Sequence, residues 1–144
     1  MSQLQAGETP PVPVPSPVTQ FFWDGVNEHK LMILRCQACG HFIHYPRIVC
    51  NRCQSLDLAP AQVSGNGTLY SHTLVMQAFH PYFADKIPYV LAIVALEEDP
   101  EVRLTTNIVD CPADQVRIGM PLEVVFREVA PGLTLPLFRP KESK

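Results

Sequence analysis

The sequence is short of charge and has no long apolar run. Charged residues make up 17% of the 144, against about 25% in an average globular chain. Acids outnumber bases 14 to 11, a formal net charge of −3. No basic excess is available to neutralise phosphates, which argues against nucleic-acid binding driven by electrostatics. The longest uninterrupted apolar stretch runs only from Tyr89 to Leu96, whereas a membrane helix takes about 20 residues. The first twenty residues lack the basic start and apolar block of a signal peptide, so the expected location is the cytoplasm. Catalytic signatures are missing as well. Gly65-Asn66-Gly67 is too short for a phosphate loop and opens a strand rather than a helix. No H-x-x-E-H, G-x-S-x-G or paired-carboxylate pattern occurs. His72 falls on a strand pattern and reads as structural, and Glu97, Glu98, Asp99 and Glu101 read as a solvated turn. The chain alone is not expected to be an enzyme.

What is present is apolar material, proline and cysteine. Hydrophobic residues reach 47%, enough for a core in a chain of one-domain size. Proline numbers 15, and five of these stand at Pro10, Pro11, Pro13, Pro15 and Pro17. Residues 1–17 therefore read as a disordered or polyproline-like arm. Residues 18–34 begin with Val18, Phe21, Phe22, Val26 and His29 at helical spacing, with Thr19 placed to cap the start. Phe21, Phe22 and Trp23 are too apolar for a lone helix, so they pack on the domain or meet another chain.

Four of the five cysteines form the pattern C-x2-C-x10-C-x2-C: Cys36, Cys39, Cys50 and Cys53. Two Cys-x-x-Cys turns aim four thiolates at one ion, and Zn²⁺ accepts that tetrahedron without electronic penalty. Iron of the rubredoxin type fits the same donor set. In a chain with no export signal, a metal is a better reading than disulfides. Gly40 follows the second cysteine, where a knuckle needs positive φ. Short strand-like runs, Leu31–Arg35 and Phe42–Tyr45, flank the turns as in a zinc ribbon spanning 35–58. Four protein sulfurs leave no open coordination position, so the metal is structural. His41 and His44 lie inside the loop but are not needed as ligands, and Cys111 reads as a turn cysteine.

From residue 59 to 140 the chain reads as all-β. Strands are expected at Thr68–Gln77, Tyr89–Leu96, Val102–Val109, Leu122–Arg127 and Leu133–Phe138. In the first, Leu69, Ser71, Thr73 and Val75 fall on one face and Tyr70, His72, Leu74 and Met76 on the other. The second is apolar throughout, as in a strand buried on both faces. Five strands without a helical period suggest a small barrel, closed by a short tail at 141–144.

These motifs occur in a recognisable order. Phe22-Trp23-x-Gly25 precedes Cys36-x-x-Cys39-Gly40, Tyr45-Pro46-Arg47 and Cys50-x-x-Cys53. Then come Gly65-x-Gly67-Thr68-Leu69-Tyr70-Ser71, Pro88-Tyr89-Val90, Thr106-Asn107-Ile108-Val109, Ile118-Gly119-Met120-Pro121-Leu122-Glu123-Val124 and Leu135-Pro136-Leu137-Phe138. Over residues 18–140 this resembles the DUF35 family. The resemblance implies a mainly β fold: an N-terminal helix, a rubredoxin-like zinc ribbon and a five-stranded OB-fold barrel. It further implies a non-catalytic accessory subunit beside a thiolase-fold acyl-CoA enzyme. The closing residues look nearest the members that pair with a lipid-transfer-protein-like retro-aldolase in steroid side-chain degradation. The alternative is a bridging, CoA-holding subunit of an acetoacetyl-CoA thiolase complex, and a more distant one is an OB-fold nucleic-acid module. On this reading Phe22, Trp23, Tyr45 and Arg47 face the partner. Phe79, His80, Tyr82, Phe83 and Lys86, in the loop 78–88, line a path for CoA or its acyl group.

Overall fold

A computed structural model describes residues 9–142. The start of the proline-rich arm, residues 1–8, and the last two residues of the tail lie outside the described residues.

Helix α1 covers Gln20–Asn27, shorter than the apolar pattern over 18–30 suggests. Thr19 is the N-cap residue, but its hydroxyl does not cap the helix. It turns back to accept from the Ser16 backbone N–H at 2.9 Å, while Thr19 N and Gln20 N donate to the Ser16 carbonyl. At the other end His29 adopts φ 61°, and Lys30 N donates to Gly25 O at 2.8 Å. That six-to-one bond is a Schellman stop with histidine in the glycine position. His29 therefore leaves the helical face that the spacing assigned it, and its ring stacks on Phe126 at 5.4 Å. Val26 is wholly buried, and Phe22 packs against the main core. The helix belongs to the domain.

Strand β1 (Leu31–Cys36) lies between β2 (Phe42–Ile43) and β3 (Leu58–Val63) in an antiparallel sheet. Alternation along β1 splits its side chains between two cores. Leu31 and Ile33 join the larger one, and Leu34 and Cys36 join a small one with Ile43 and Cys50. The second expected run, Phe42–Tyr45, stops at Ile43. β3 has no counterpart among the expected strands; it pairs with β1 along its whole length, Leu31 opposite Val63 and Cys36 opposite Leu58.

The remaining strands are β4 (Asn66–Val75), β5 (Tyr89–Leu96), β6 (Arg103–Ile108), β7 (Pro121–Ala130) and β8 (Leu133–Pro140). They close a barrel in the order β4-β5-β6-β8-β7, the five-stranded closure expected of an OB fold. Its core holds Leu69, Val94, Leu96, Leu122 and Phe138, each 2% exposed or less. Burying a side chain of that size stabilises by about 1.5–3 kcal/mol.

Two details of the barrel differ from the alternation read off the sequence. A bulge at Tyr70 shifts the β4–β5 register, so Leu69 pairs with Val94 but Ser71 with Ile93. Beyond it His72 and Leu74 sit opposite the buried Ala92 and Val90, on the face that Leu69 started. Tyr70, the extra residue, carries the Arg103 guanidinium 4.0 Å above its ring. β5 is not buried on both faces: Val90, Ala92, Val94 and Leu96 point inward, whereas Leu91 is 37% exposed. The antiparallel ladders β4–β5, β5–β6 and β7–β8 are long. β4 meets β7 only over Asn66–Thr68, and β6 meets β8 in parallel at the single pair Ile108–Phe138.

Candidate metal centre and the ribbon–barrel junction

The two Cys-x-x-Cys turns are near copies of each other. Gly40 N donates to Cys36 O at 2.9 Å, and Gln54 N donates to Cys50 O at 2.9 Å. The residue after each second cysteine has positive φ, 79° at Gly40 and 65° at Gln54. The first matches the sequence expectation; the second shows the same bend made by a residue with a Cβ. All four sulfurs lie within 4.8 Å of one another, with Cys36–Cys53 at 3.5 Å and Cys39–Cys50 at 3.7 Å. A tetrahedron with metal–sulfur bonds of about 2.3 Å has edges of about 3.8 Å, so the donor set fits one tetrahedral dication.

Backbone N–H groups point at the sulfurs, from Arg52 at 3.4 Å and Cys53 at 3.5 Å to Cys50 Sγ. The Cys53 and Arg52 donors outweigh burial and draw the Cys50 thiol down to about 6. Backbone donation from Cys39, against burial, lowers Cys36 as well. At Cys53 a Ser55 N–H pulls down, but the Cys36 thiol, burial and the other two sulfurs together push it up to about 12. Crowded thiols compete for negative charge; a bound dication brings all four to thiolate near neutral pH. His41 and His44 are not in this cluster.

The loop between the knuckles builds a second feature. Tyr45 is 62% exposed, its ring lies 4.3 Å from that of His44, and its hydroxyl is 3.3 Å from Thr105 Oγ1 on β6. Behind it is an apolar cavity of about 300 Å³. Phe22 and Trp23 of α1 form one wall, His44 to Pro46 a second, and Leu104–Asn107 with Leu135–Leu137 the third. Phe22 and Trp23 meet edge to face at 5.2 Å. His44 Nε2 is buried without a hydrogen-bond partner, and burial lowers the imidazole to about 4, so it is neutral at pH 7. Arg47 is exposed beyond the cavity and is not among its walls.

A second apolar cavity of about 300 Å³ adjoins it, sharing Asn107, Leu135 and Leu137. Tyr82, Phe83 and Lys86 line it, and so do Pro10 and Pro11 of the arm. The described part of the arm therefore reaches the barrel surface. Lys86 Nζ lies 3.9 Å over the Tyr82 ring and donates to Tyr82 O at 2.9 Å, and Tyr82 meets Phe83 edge to face at 5.0 Å. His80 Nδ1 accepts from Tyr82 N at 3.1 Å, capping the turn Pro81–Phe83. Phe79 stands apart, 80% exposed. Of the loop residues singled out in the sequence, Tyr82, Phe83 and Lys86 come together, while His80 supports them and Phe79 does not join. Leu104, Thr105, Asn107 and Leu135 were not foreseen as lining residues: Leu104 is also a core residue, and nothing in a strand pattern marks the other three as lying beside a cavity.

Among the described residues, no serine, threonine or cysteine side chain is hydrogen-bonded to a histidine. Among the same described residues, no helix is long and apolar enough to cross a membrane.

Comparison with known proteins agrees with this architecture. Residues 23–59 match the family model described as the ChsH2 rubredoxin-like zinc ribbon domain, and residues 61–127 the ChsH2 C-terminal OB-fold domain. A chain of a solved structure titled Ltp2-ChsH2(DUF35) aldolase superposes with a TM-score of 0.83 at 36% identity, covering 90% of this chain and 98% of that one. A DUF35 domain-containing scaffold protein of Methanocaldococcus jannaschii is 36% identical over 109 residues, 74% of this chain and 75% of its own. A probable enoyl-CoA hydratase alpha subunit of Thermomonospora curvata is 38% identical over 120 residues, 83% of this chain. The present chain spans only 36% of that relative's length.

Proposed function

Since the chain belongs to the DUF35 family, we propose that it is the non-catalytic accessory subunit of a thiolase-fold acyl-CoA enzyme, acting in the cytoplasm. The observation that carries this reading is the match to a chain of the structure titled Ltp2-ChsH2(DUF35) aldolase, which covers 98% of that chain and 90% of this one. The partner is a lipid-transfer-protein-like retro-aldolase that cleaves a steroid acyl-CoA side chain. It supplies the reacting groups, and this chain closes the CoA and acyl channel and keeps the partner folded.

The residues suit that division of labour. Cys36, Cys39, Cys50 and Cys53 hold Zn²⁺, whose closed tetrahedron stiffens the ribbon and supplies no open position for chemistry. Trp23 and Tyr45 line the cavity at the ribbon–barrel junction, Phe22 meets Trp23 edge to face, and Arg47 is exposed beyond it. Aromatic and arginine side chains are the usual anchors of an interface, and the Arg47 fork pairs with a partner carboxylate or a CoA phosphate. Tyr82, Phe83 and Lys86, backed by His80 and with Phe79 exposed at the margin, offer rings to a pantetheine or acyl chain and one ammonium to a phosphate. A second reading, the scaffold of a thiolase-type complex, is favoured by the Methanocaldococcus relative, whose own length this chain largely spans.

The test is co-expression with a lipid-transfer-protein-like, thiolase-fold protein from the same source, size-exclusion chromatography and an acyl-CoA cleavage assay. Co-elution and partner activity that requires this chain are expected. Separate elution, or a partner equally soluble and active alone, refutes the reading. Thiolysis or condensation in place of aldol cleavage selects the scaffold alternative.

A further inference from the structure

The cavity at the ribbon–barrel junction has walls of unequal origin. Leu104, Leu135 and Leu137 belong to the barrel, and Phe22 is packed on the barrel core. That core contains fourteen buried residues and stands on its own apolar contacts. His44, Tyr45 and Pro46 hang between Cys39 and Cys50. The core beneath them holds only Leu34, Cys36, Ile43 and Cys50 as buried residues, and two of these four are metal ligands. A cluster so small cannot offset the conformational entropy of ordering its loop without the ion.

The same walls select what fits. No lysine, arginine, aspartate or glutamate lines the cavity, so an ion entering it would lose hydration without gaining an opposite charge. Flat faces dominate: Phe22, Trp23, Tyr45 and the rings of Pro46 and Pro136. Its volume of about 300 Å³ is the lower end of the about 300–1,000 Å³ range of small-molecule pockets.

We propose that this cavity is a binding seat for one small, uncharged, ring-bearing apolar molecule, and that the seat is assembled only while the four cysteines hold their metal. Site and metal are then thermodynamically linked. An occupant tightens the metal by the factor by which the metal tightens the occupant. This rests on the reading that the cysteines bind a metal but is independent of the partner enzyme.

The experiment uses the full chain, metal-loaded and reduced, with N-phenyl-1-naphthylamine as the uncharged probe. Trp23, the only tryptophan of the chain, lines the cavity and reports occupancy by quenching. Saturable one-to-one quenching is expected. It should weaken at least tenfold after the metal is stripped with a chelator and return when Zn²⁺ is added back. Thr105→Arg, at the rim beside Tyr45, should weaken binding at least tenfold with metal content unchanged. Met76→Ala, at an exposed residue that lines neither cavity, should leave the quenching intact. Should the stripped chain lose its barrel, chelator competition decides: saturating probe must raise zinc affinity by at least tenfold. Unchanged zinc affinity, unaltered binding in Thr105→Arg, or undiminished binding to a metal-free chain with an intact barrel overturns the proposal. Metal analysis separates this failure from failure of the premise, since the premise fails only if the purified chain carries neither zinc nor iron.

Discussion

His44 shows how much one side chain can owe to its surroundings. Its imidazole takes a proton near 6.5 when free and near 4 in the fold, because burial penalises the charged form. Between those values the unfolded chain binds a proton that the native one refuses. Stability is therefore full above about pH 6.5 and declines as pH falls toward about 4, by at most about 3 kcal/mol. Urea unfolding at pH 7.5 and pH 4.5 should show this loss, and His44→Gln should flatten it; equal slopes would remove His44 from the account. Gly67 illustrates the opposite constraint, space rather than charge. It is paired to both β5 and β7, and a Cβ there would stand 2.6 Å from Ala95 O and 2.7 Å from Val94 Cγ1. A carbonyl in a ladder cannot step aside. Gly67→Ala should cost about 1–3 kcal/mol in urea unfolding, a value near zero meaning that the two strands part more easily than their pairing implies.

At the scale of elements, the ribbon is the part that a metal at the four cysteines would hold together. Cys50→Ala should abolish stoichiometric metal, seen by elemental analysis. It should also deprotect the amides of β2 and the knuckles to hydrogen exchange while those of β5 stay protected. Loss of β5 protection as well would show that ribbon and barrel fold as one unit. β1 is the hinge between these outcomes, since Leu31 and Ile33 serve the barrel and Leu34 and Cys36 the ribbon. Elements of this kind are legible in sequence to different depths. The cysteine spacing and Gly40 foretold the knuckles because ligand geometry leaves few ways to arrange them. β5 to β8 were legible because β-branched runs end at Pro100, Gly119 and Pro131-Gly132. β3 was not, because Leu58–Val63 contains Pro60 and little alternation, and only its pairing to β1 makes it a strand. The Tyr70 bulge was hidden for a similar reason: a one-residue shift in register leaves no mark on composition. The ring-lined cavity was half legible, its aromatics visible and its leucine floor anonymous.

For the molecule as a whole, the functional proposal turns on assembly. Stable interfaces bury about 1,200–2,000 Å² and depend on a few anchors. Trp23→Ala and Arg47→Ala should each weaken the complex by about 2 kcal/mol if they are such anchors, measured by titration calorimetry with metal content unchanged. Wild-type affinity in both would move the interface elsewhere on the chain. The isolated chain should turn over no acyl-CoA thioester, and sustained cleavage by the chain alone would reveal an unrecognised centre.

The barrel is closed unevenly, and this bears on how it can move. β4, β5 and β6 form one leaf and β7 with β8 another. The leaves are joined by three residue pairs along one margin and by one pair along the other. At the weaker margin the clasp consists of Val109 N to Phe138 O at 2.8 Å and the Thr106 hydroxyl to Pro136 O at 2.9 Å. Unfastening it sacrifices two hydrogen bonds, each worth about 0.5–1.5 kcal/mol net, and also uncovers the buried Ile108 and Phe138 that pair there. Hydrogen bonding along this line is therefore sparse, and side-chain packing holds the two leaves together. Trp23, Tyr82, Pro10 and Pro11 all border that line, so the surface proposed for a partner or ligand lies over the seam where the barrel has the fewest backbone pairs.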